Sequence, residues 1–218
     1  MKRIVICQYA PGRALAFKQW LPEALVIERH NGEPVPDSFD AIIFGGGPMS
    51  ADEAARKEFP FLEEDLQLIQ QLAHEGERAP LSAGICLGAQ MIALALGGDV
   101  AHGPTIRGWN QIVPIEPHAL FPDHSCIQFE FHSNHIRRLP EGAVLLASSN
   151  HDKVEAFRVG TGMWATAYHP EVTRVDAERI YTGAGLEPNE LHNDQFEDPG
   201  IAAFRSSQMF FEGLFAER

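Results

Sequence analysis

Three short apolar runs, Ile4-Val5-Ile6-Cys7, Ala24-Leu25-Val26-Ile27 and Ala41-Ile42-Ile43-Phe44, constrain the fold more than any other feature of the chain. Segments with helical spacing separate them, and that alternation is the signature of a parallel sheet with covering helices. Between residues 60 and 76, Leu62, Leu66, Ile69 and Ala73 form one helical stripe, with Gly76 as its stop. The stretch Leu87 to Leu96 is apolar on all sides, which predicts an internal helix closed by Gly97 and Gly98. From about residue 109 the texture changes to QIVPI, CIQFEF, VEAF and MWATAY, alternating runs that add antiparallel strands and make the sheet mixed. A short helix near 175–182, an acidic loop over 185–200 and a last helix with Phe204, Phe211 and Phe215 on one face complete the chain. The acidic loop reads either as a cover over a site or as a solvated connection.

Length and charge narrow the class. A chain of 218 residues, 44% hydrophobic, can bury a full core as one domain, residues 1–218, with a C-terminal helical segment over about 175–218. Its net charge of −13 argues against nucleic acid as a partner, and Arg137-Arg138 reads as a solvated turn. No run approaches the roughly 20 apolar residues of a membrane helix, and the apolar run in MKRIVICQ is too short for a signal-peptide core. Three cysteines, widely spaced and odd in number, argue against a disulfide framework and predict a cytoplasmic chain. Cys7 and Cys126 read as small buried hydrophobes, whereas Cys86 has unusual flanks.

Those flanks are Gly84 and Gly88, in AGICLGAQMIALALGG. A Gly-x-nucleophile-x-Gly stretch between strand and helix is the pattern of a nucleophile elbow, a turn so sharp that only glycines avoid clashes. Cys86 would then sit at a helix N-terminus, where the dipole favours a thiolate and the Leu87 N–H faces a developing oxyanion. Close packing alone would also explain small residues there. Two further stretches carry the same ambiguity. FGGGPMS (44–50) follows a strand, where ligand sites of open α/β sheets gather, but it lacks the spacing of a phosphate loop and reads equally as a tight turn. YHPE (168–171) offers a histidine as general acid and base and Glu171 as its orienter, or an exposed loop histidine. Together Cys86, His169 and Glu171 supply a nucleophile, a base and an orienter.

In this order the three pieces resemble the class I glutamine amidotransferase family, whose G-x-C-x-G-x-Q motif is met by Gly84, Cys86, Gly88 and Gln90. The resemblance spans roughly residues 1 to 175 and extends to stand-alone chains similar to the amidotransferase domain of GMP synthase. It implies a flavodoxin-like three-layer α/β sandwich with a mixed, mostly parallel sheet. It implies Cys86 as nucleophile, His169 as its acid/base partner, Glu171 as the orienter, and Gly47 and Leu87 as oxyanion-hole amides. Gln90, with His132, Ser133 and Asn134 in FHSNHIRRLPEGAVLLASS, would hold the glutamyl end of the substrate. No cofactor is implied. His132 and His135 could instead suggest metal, but no third or fourth ligand has supporting spacing, so no metal site is expected.

The chain departs from the family pattern at Ala167, where glutamine is common, and at Arg107, where an acidic residue often precedes Gly-Trp. Ser82 and Ala83 also lengthen the run into the elbow by one residue relative to the pattern. No synthetase domain fits within the chain, so the resemblance leaves two enzymes open. One delivers ammonia from glutamine to a separate synthetase subunit; the other is a self-sufficient γ-glutamyl peptide hydrolase. A non-catalytic binding or regulatory module is the remaining alternative.

Overall fold

The structure, a computed structural model, describes residues 2–115, 125–191 and 198–216. The strands are β1 (Ile4–Gln8), β2 (Leu25–Glu28), β3 (Ala41–Phe44), β4 (Leu81–Ile85), β5 (Asp99–Pro114), β6 (Cys126–Arg138), β7 (Val144–Ser149), β8 (Ala156–Val159) and β9 (Met163–Thr166). Among the described residues they form one nine-stranded sheet in the order β2-β1-β3-β4-β9-β8-β7-β5-β6. The strands from β2 to β9 in that order pair in parallel. The rest, through β8, β7, β5 and β6, pair antiparallel.

Helices cover both faces, because the parallel strands are apolar on both. Val5, Cys7, Ile42 and Phe44 point to the layer of α2 (Pro60–Glu75) and α3 (Leu87–Ala95). Ile6, Ile43, Ala83 and Ile85 alternate with them and meet Phe17 of a short 3-10 turn (Arg13–Phe17) together with Phe210, Phe211 and Leu214 of α5 (Pro199–Ala216). A third cluster packs α4 (Arg174–Gly183) through Tyr181 against Trp109 and Phe129. The result is a three-layer α/β sandwich.

The short helix α1 (Glu53–Glu58) starts at Asp52, whose side chain accepts from the Ala55 N–H at 2.9 Å. In α2 the predicted stripe of Leu62, Leu66 and Ile69 is buried. α4 begins in a reciprocal capping box of Thr173 and Asp176. On α5, Phe204 and Phe211 share a face and both pack on Trp20, with ring centroids 5.0 and 5.3 Å away. Part of the acidic 185–200 loop, residues 192–197, lies outside the described residues; its first half is a 3-10 turn tied to β5 by an Arg107–Glu190 ion pair of 3.1 Å. Among the described residues no helix is long and apolar enough to cross a membrane.

Candidate active site

The strand β4 ends at Ile85 and α3 begins at Leu87, so Cys86 alone makes the turn. Its φ of 53° is the one positive value at a non-glycine residue among the described residues, a conformation that costs of order 1–3 kcal/mol and persists only where packing enforces it. The enforcement is visible. A Cβ on Gly84 would stand 2.6 Å from the Gly88 carbonyl, and one on Gly88 would overlap the carbonyl oxygen of Phe44. The two glycines therefore let the first turn of α3 lie directly on β3 and β4. The Cys86 N–H donates to Thr166 O at 2.8 Å, anchoring the turn to the end of β9.

His169 arrives from the other side. It follows β9, and its N–H donates to Phe129 O of β6 at 2.8 Å. Its Nδ1 contacts Glu171 Oε1 at 2.7 Å. Gly46 lies against the opposite part of the site: a Cβ there would stand 2.8 Å from His169 Cε1 and 3.6 Å from Cys86 Cβ. Burial opposes a charge on His169, but the carboxylate of Glu171 and then Cys86 outweigh it and lift its pKa from 6.5 to about 10. The imidazole is therefore held as an imidazolium at neutral pH. By contrast, burial pushes the thiols of Cys7 and Cys126 up, the latter to about 11, as expected of inert core cysteines.

Cys86 is only 5% exposed, so the turn opens it to a cavity rather than to bulk water. That cavity measures about 230 Å³, and Cys86, Gln90, His132, Ser133, Asn134 and His169 line it with Gly46 and Gly47. Gln90 Nε2 donates to Asn134 O at 3.2 Å, joining α3 to β6. His132 has both ring nitrogens buried and without a hydrogen-bond partner among the described residues. Burial, followed by the neighbouring His135 and His169, lowers its pKa to about 4, so it enters the cavity neutral. The Gly47 backbone packs on Leu87, where a Cβ would stand 2.8 Å from Leu87 Cδ2. Leu87 itself is the first residue of α3, whose N–H has no intrahelical acceptor. Of the residues singled out from sequence, Glu171 and Leu87 do not line the cavity; the first stands behind His169 and the second behind Cys86.

Other members of the site left no pattern in the sequence. Trp20 Nε1 donates to Glu171 O at 3.0 Å, and Gln19 Nε2 adds a bond of 3.4 Å to the same oxygen. Arg13 and Thr105 also face the cavity. Beneath His132, on the same face of β6, lies Glu130, which with Glu155 is completely buried. Burial pushes both carboxyls up, Glu130 well above its ordinary range with the added charge of Glu155, and Glu155 to about 7. Both carboxyls are therefore biased toward the protonated form.

In the fold Asp152 joins His132 and His135, with donor atoms of the three within 4.8 Å of one another. Sequence spacing missed it because Asp152 enters from the β7–β8 connection. Both nitrogens of His135 are already committed, Nδ1 to Asp152 Oδ2 at 2.6 Å and Nε2 to Pro104 O at 2.8 Å.

Comparisons with known proteins bear on this arrangement. Residues 20–182 match the family model described as glutamine amidotransferase class-I. Among curated relatives, a glutamine-hydrolyzing GMP synthase subunit of Ignicoccus hospitalis is 28% identical, over 66% of this chain and 73% of that one. The protein of the same description from Archaeoglobus fulgidus is 30% identical, over 61% of this chain and 67% of its own length. A glutamine amido transferase structure from Methylobacillus flagellatus superposes with a TM-score of 0.82 at 20% identity, covering 100% of this chain and 95% of that one. Its likeness is one of fold, whereas the family match spans most of the chain and includes the turn at Cys86 and the His169-Pro170-Glu171 segment. The chain belongs to the class-I glutamine amidotransferase family.

Proposed function

We propose that the chain hydrolyses the γ-carboxamide of glutamine through a Cys86-His169-Glu171 triad and releases ammonia for an acceptor held by a separate synthetase subunit in the cytoplasm. The observation that carries this reading is the placement of His169, bonded to Glu171 at 2.7 Å on one side and beside Cys86 on the other. Cys86 Sγ attacks the amide carbon, and the N–H groups of Leu87 and Gly47 receive the oxyanion. His169 gives its proton to the nitrogen as the C–N bond breaks, and ammonia leaves. Water then attacks the γ-glutamyl thioester, passes a proton to His169, and frees glutamate and the thiol. Gln90, His132, Ser133 and Asn134 hold the glutamyl end, a role supported by their place around a cavity of about 230 Å³.

The separate acceptor chain is supported by relatives whose names describe them as one subunit of GMP synthase. The test is glutamate release from glutamine, measured for the purified chain alone and after addition of candidate synthetase chains. Release that rises with a partner and disappears in Cys86→Ser is expected. Release that survives in Cys86→Ser would refute the reading.

A further inference from the structure

His132 faces two ways. Its ring lines the cavity at Cys86, and it also stands beside His135 and Asp152. The two histidine rings have centroids 5.3 Å apart, and His132 Nε2 lies 3.9 Å from Asp152 Oδ2. All three side chains are buried. The hydrogen bonds of His135 show which of its nitrogens carries a hydrogen. Pro104 O can only accept, so the Nε2 that lies 2.8 Å from it is a donor. A neutral ring then presents a bare Nδ1 to a carboxylate oxygen of Asp152 2.6 Å away. Lone pair would face lone pair, so a positive charge belongs between them. A proton can supply it, and so can a metal ion. A metal-ligating histidine almost always donates its other N–H to a carbonyl, carboxylate or water, and His135 already does so. His132 adds two buried ring nitrogens without a hydrogen-bond partner among the described residues. The surroundings are short of positive charge. Glu130, two residues before His132 on the same face of β6, and Glu155 are completely buried. Among the described residues, no lysine or arginine forms an ion pair with either of them or with Asp152.

We propose that His132, His135 and Asp152 bind a divalent transition-metal ion of the zinc type, with its fourth position open to the cavity at Cys86, and that the bound ion shuts the glutaminase off. The inhibition rests on the assignment of His132 to the glutamyl end of the substrate; the site itself does not. Two imidazoles and one carboxylate suit zinc, whereas calcium and magnesium take oxygen ligands. Three protein ligands with a fourth position left open is also the pattern of an accessible zinc site. Bonds of about 2.0–2.1 Å in a tetrahedral array place ligand atoms roughly 3.3 Å apart. The separations of 2.6 Å between His135 and Asp152 and 3.9 Å between His132 and Asp152 fall on either side of that value. The ion bonds to a ring nitrogen of His132, to His135 Nδ1 and to Asp152 Oδ2, and the proton that lay between the last two leaves to solvent. Drawn onto the metal, His132 is lost to the glutamyl group, and the ion with its water intrudes on a cavity of about 230 Å³.

The test is calorimetric titration of Zn²⁺ into the unsubstituted chain, Cys86→Ser, Asp152→Asn and His135→Gln, with X-ray absorption at the zinc edge. Expected is one ion per chain, bound equally by the unsubstituted chain and Cys86→Ser. Asp152→Asn and His135→Gln should bind about 10-fold more weakly or worse, since even an outer partner of a metal ligand is worth that much. The absorption spectrum should show nitrogen and oxygen neighbours at about 2.0–2.2 Å and no sulfur at about 2.3 Å. Binding lost in Cys86→Ser, or a sulfur neighbour, would place the ion on the catalytic thiol and overturn the site. Absence of stoichiometric binding, or binding unchanged in both Asp152→Asn and His135→Gln, would overturn it as well. Urea unfolding shows whether those two variants fold; if they do not, the Cys86→Ser titration and the absorption spectrum decide. Glutamate release from glutamine with and without Zn²⁺ tests the consequence. Inhibition that excess glutamine or a chelator relieves, and that Asp152→Asn escapes while keeping its metal-free rate, is expected. Stoichiometric binding that leaves release untouched would overturn the inhibition. A chain that binds zinc as described and releases no glutamate under any condition would overturn the glutaminase reading, and the inhibition with it, while confirming the site.

Discussion

Replacing Glu171 by Gln keeps the shape of the side chain and an oxygen to accept the His169 Nδ1–H, while deleting the charge 2.7 Å from the ring. Burial disfavours the imidazolium, yet Glu171 and Cys86 raise the pKa of His169 from 6.5 to about 10. That rise corresponds to about 5 kcal/mol of net preference for the charged ring, at about 1.4 kcal/mol per pH unit. Glu171 is the largest of the raising causes, so its loss should remove the greater part of that preference and bring the ring's pKa down from about 10. A pKa raised on folding contributes fully below the unfolded value of 6.5 and is lost as pH rises through about 10. Glu171→Gln should therefore cost stability at pH 6 and almost none at pH 11. The assay is NMR titration of the labelled His169 ring, alongside kcat/KM for glutamine, which should fall roughly 100- to 10,000-fold as the proton donor is detuned. A ring that titrates near 10 in both proteins would refute the reasoning, because Glu171 would then not be the charge that holds the proton.

Three other substitutions probe the supports of the site. Trp20→Phe removes the indole donor to Glu171 O at 3.0 Å while keeping a ring between Phe204 and Phe211; kcat should fall about fivefold, as for loss of about 1 kcal/mol, with KM unchanged, and an unchanged kcat would exclude a positioning role. Gly88→Ala forces a methyl into the Phe44 carbonyl and should cost about 3 kcal/mol or more in urea unfolding, so an unshifted midpoint would contradict the packing described. Glu155→Gln should leave stability unchanged near pH 4 and raise it at pH 8. A carboxyl raised from 4.5 to about 7 by burial destabilises the fold progressively as pH rises through that window, by on the order of 3 kcal/mol when complete. Parallel stability–pH curves for the two proteins would count against a raised carboxyl at Glu155.

The half of the sheet built from short apolar runs was legible because burial on both faces leaves no polar phase to confuse the reading. β5 was not. QIVPI marks only its last part, while the strand starts at Asp99 and carries Gly103 and Pro104, residues that locally read as a loop. The structure accommodates them at a register irregularity between His102 and Ile106, away from the β7 pairing of Ile112–Pro114. The alternation in CIQFEF gave the strand but not the burial of its polar phase; Gln128 and Glu130 are 2% and 0% exposed. Local period cannot reveal what covers a face. The turn at Cys86 was visible because two glycines flank a cysteine within five residues. The hold of Trp20 on Glu171 spans 151 residues and leaves no local trace, and Arg13 looks like any surface arginine until the fold places it on the wall of the cavity at Cys86.

The most direct test of the central claim is intact-protein mass spectrometry after treatment with a glutamine-like alkylating analogue, followed by peptide mapping. One adduct on Cys86, prevented by excess glutamine and absent from Cys86→Ser, is the predicted result. Labelling that falls on Cys7 or Cys126, or that glutamine does not prevent, would contradict a glutaminase site built on Cys86.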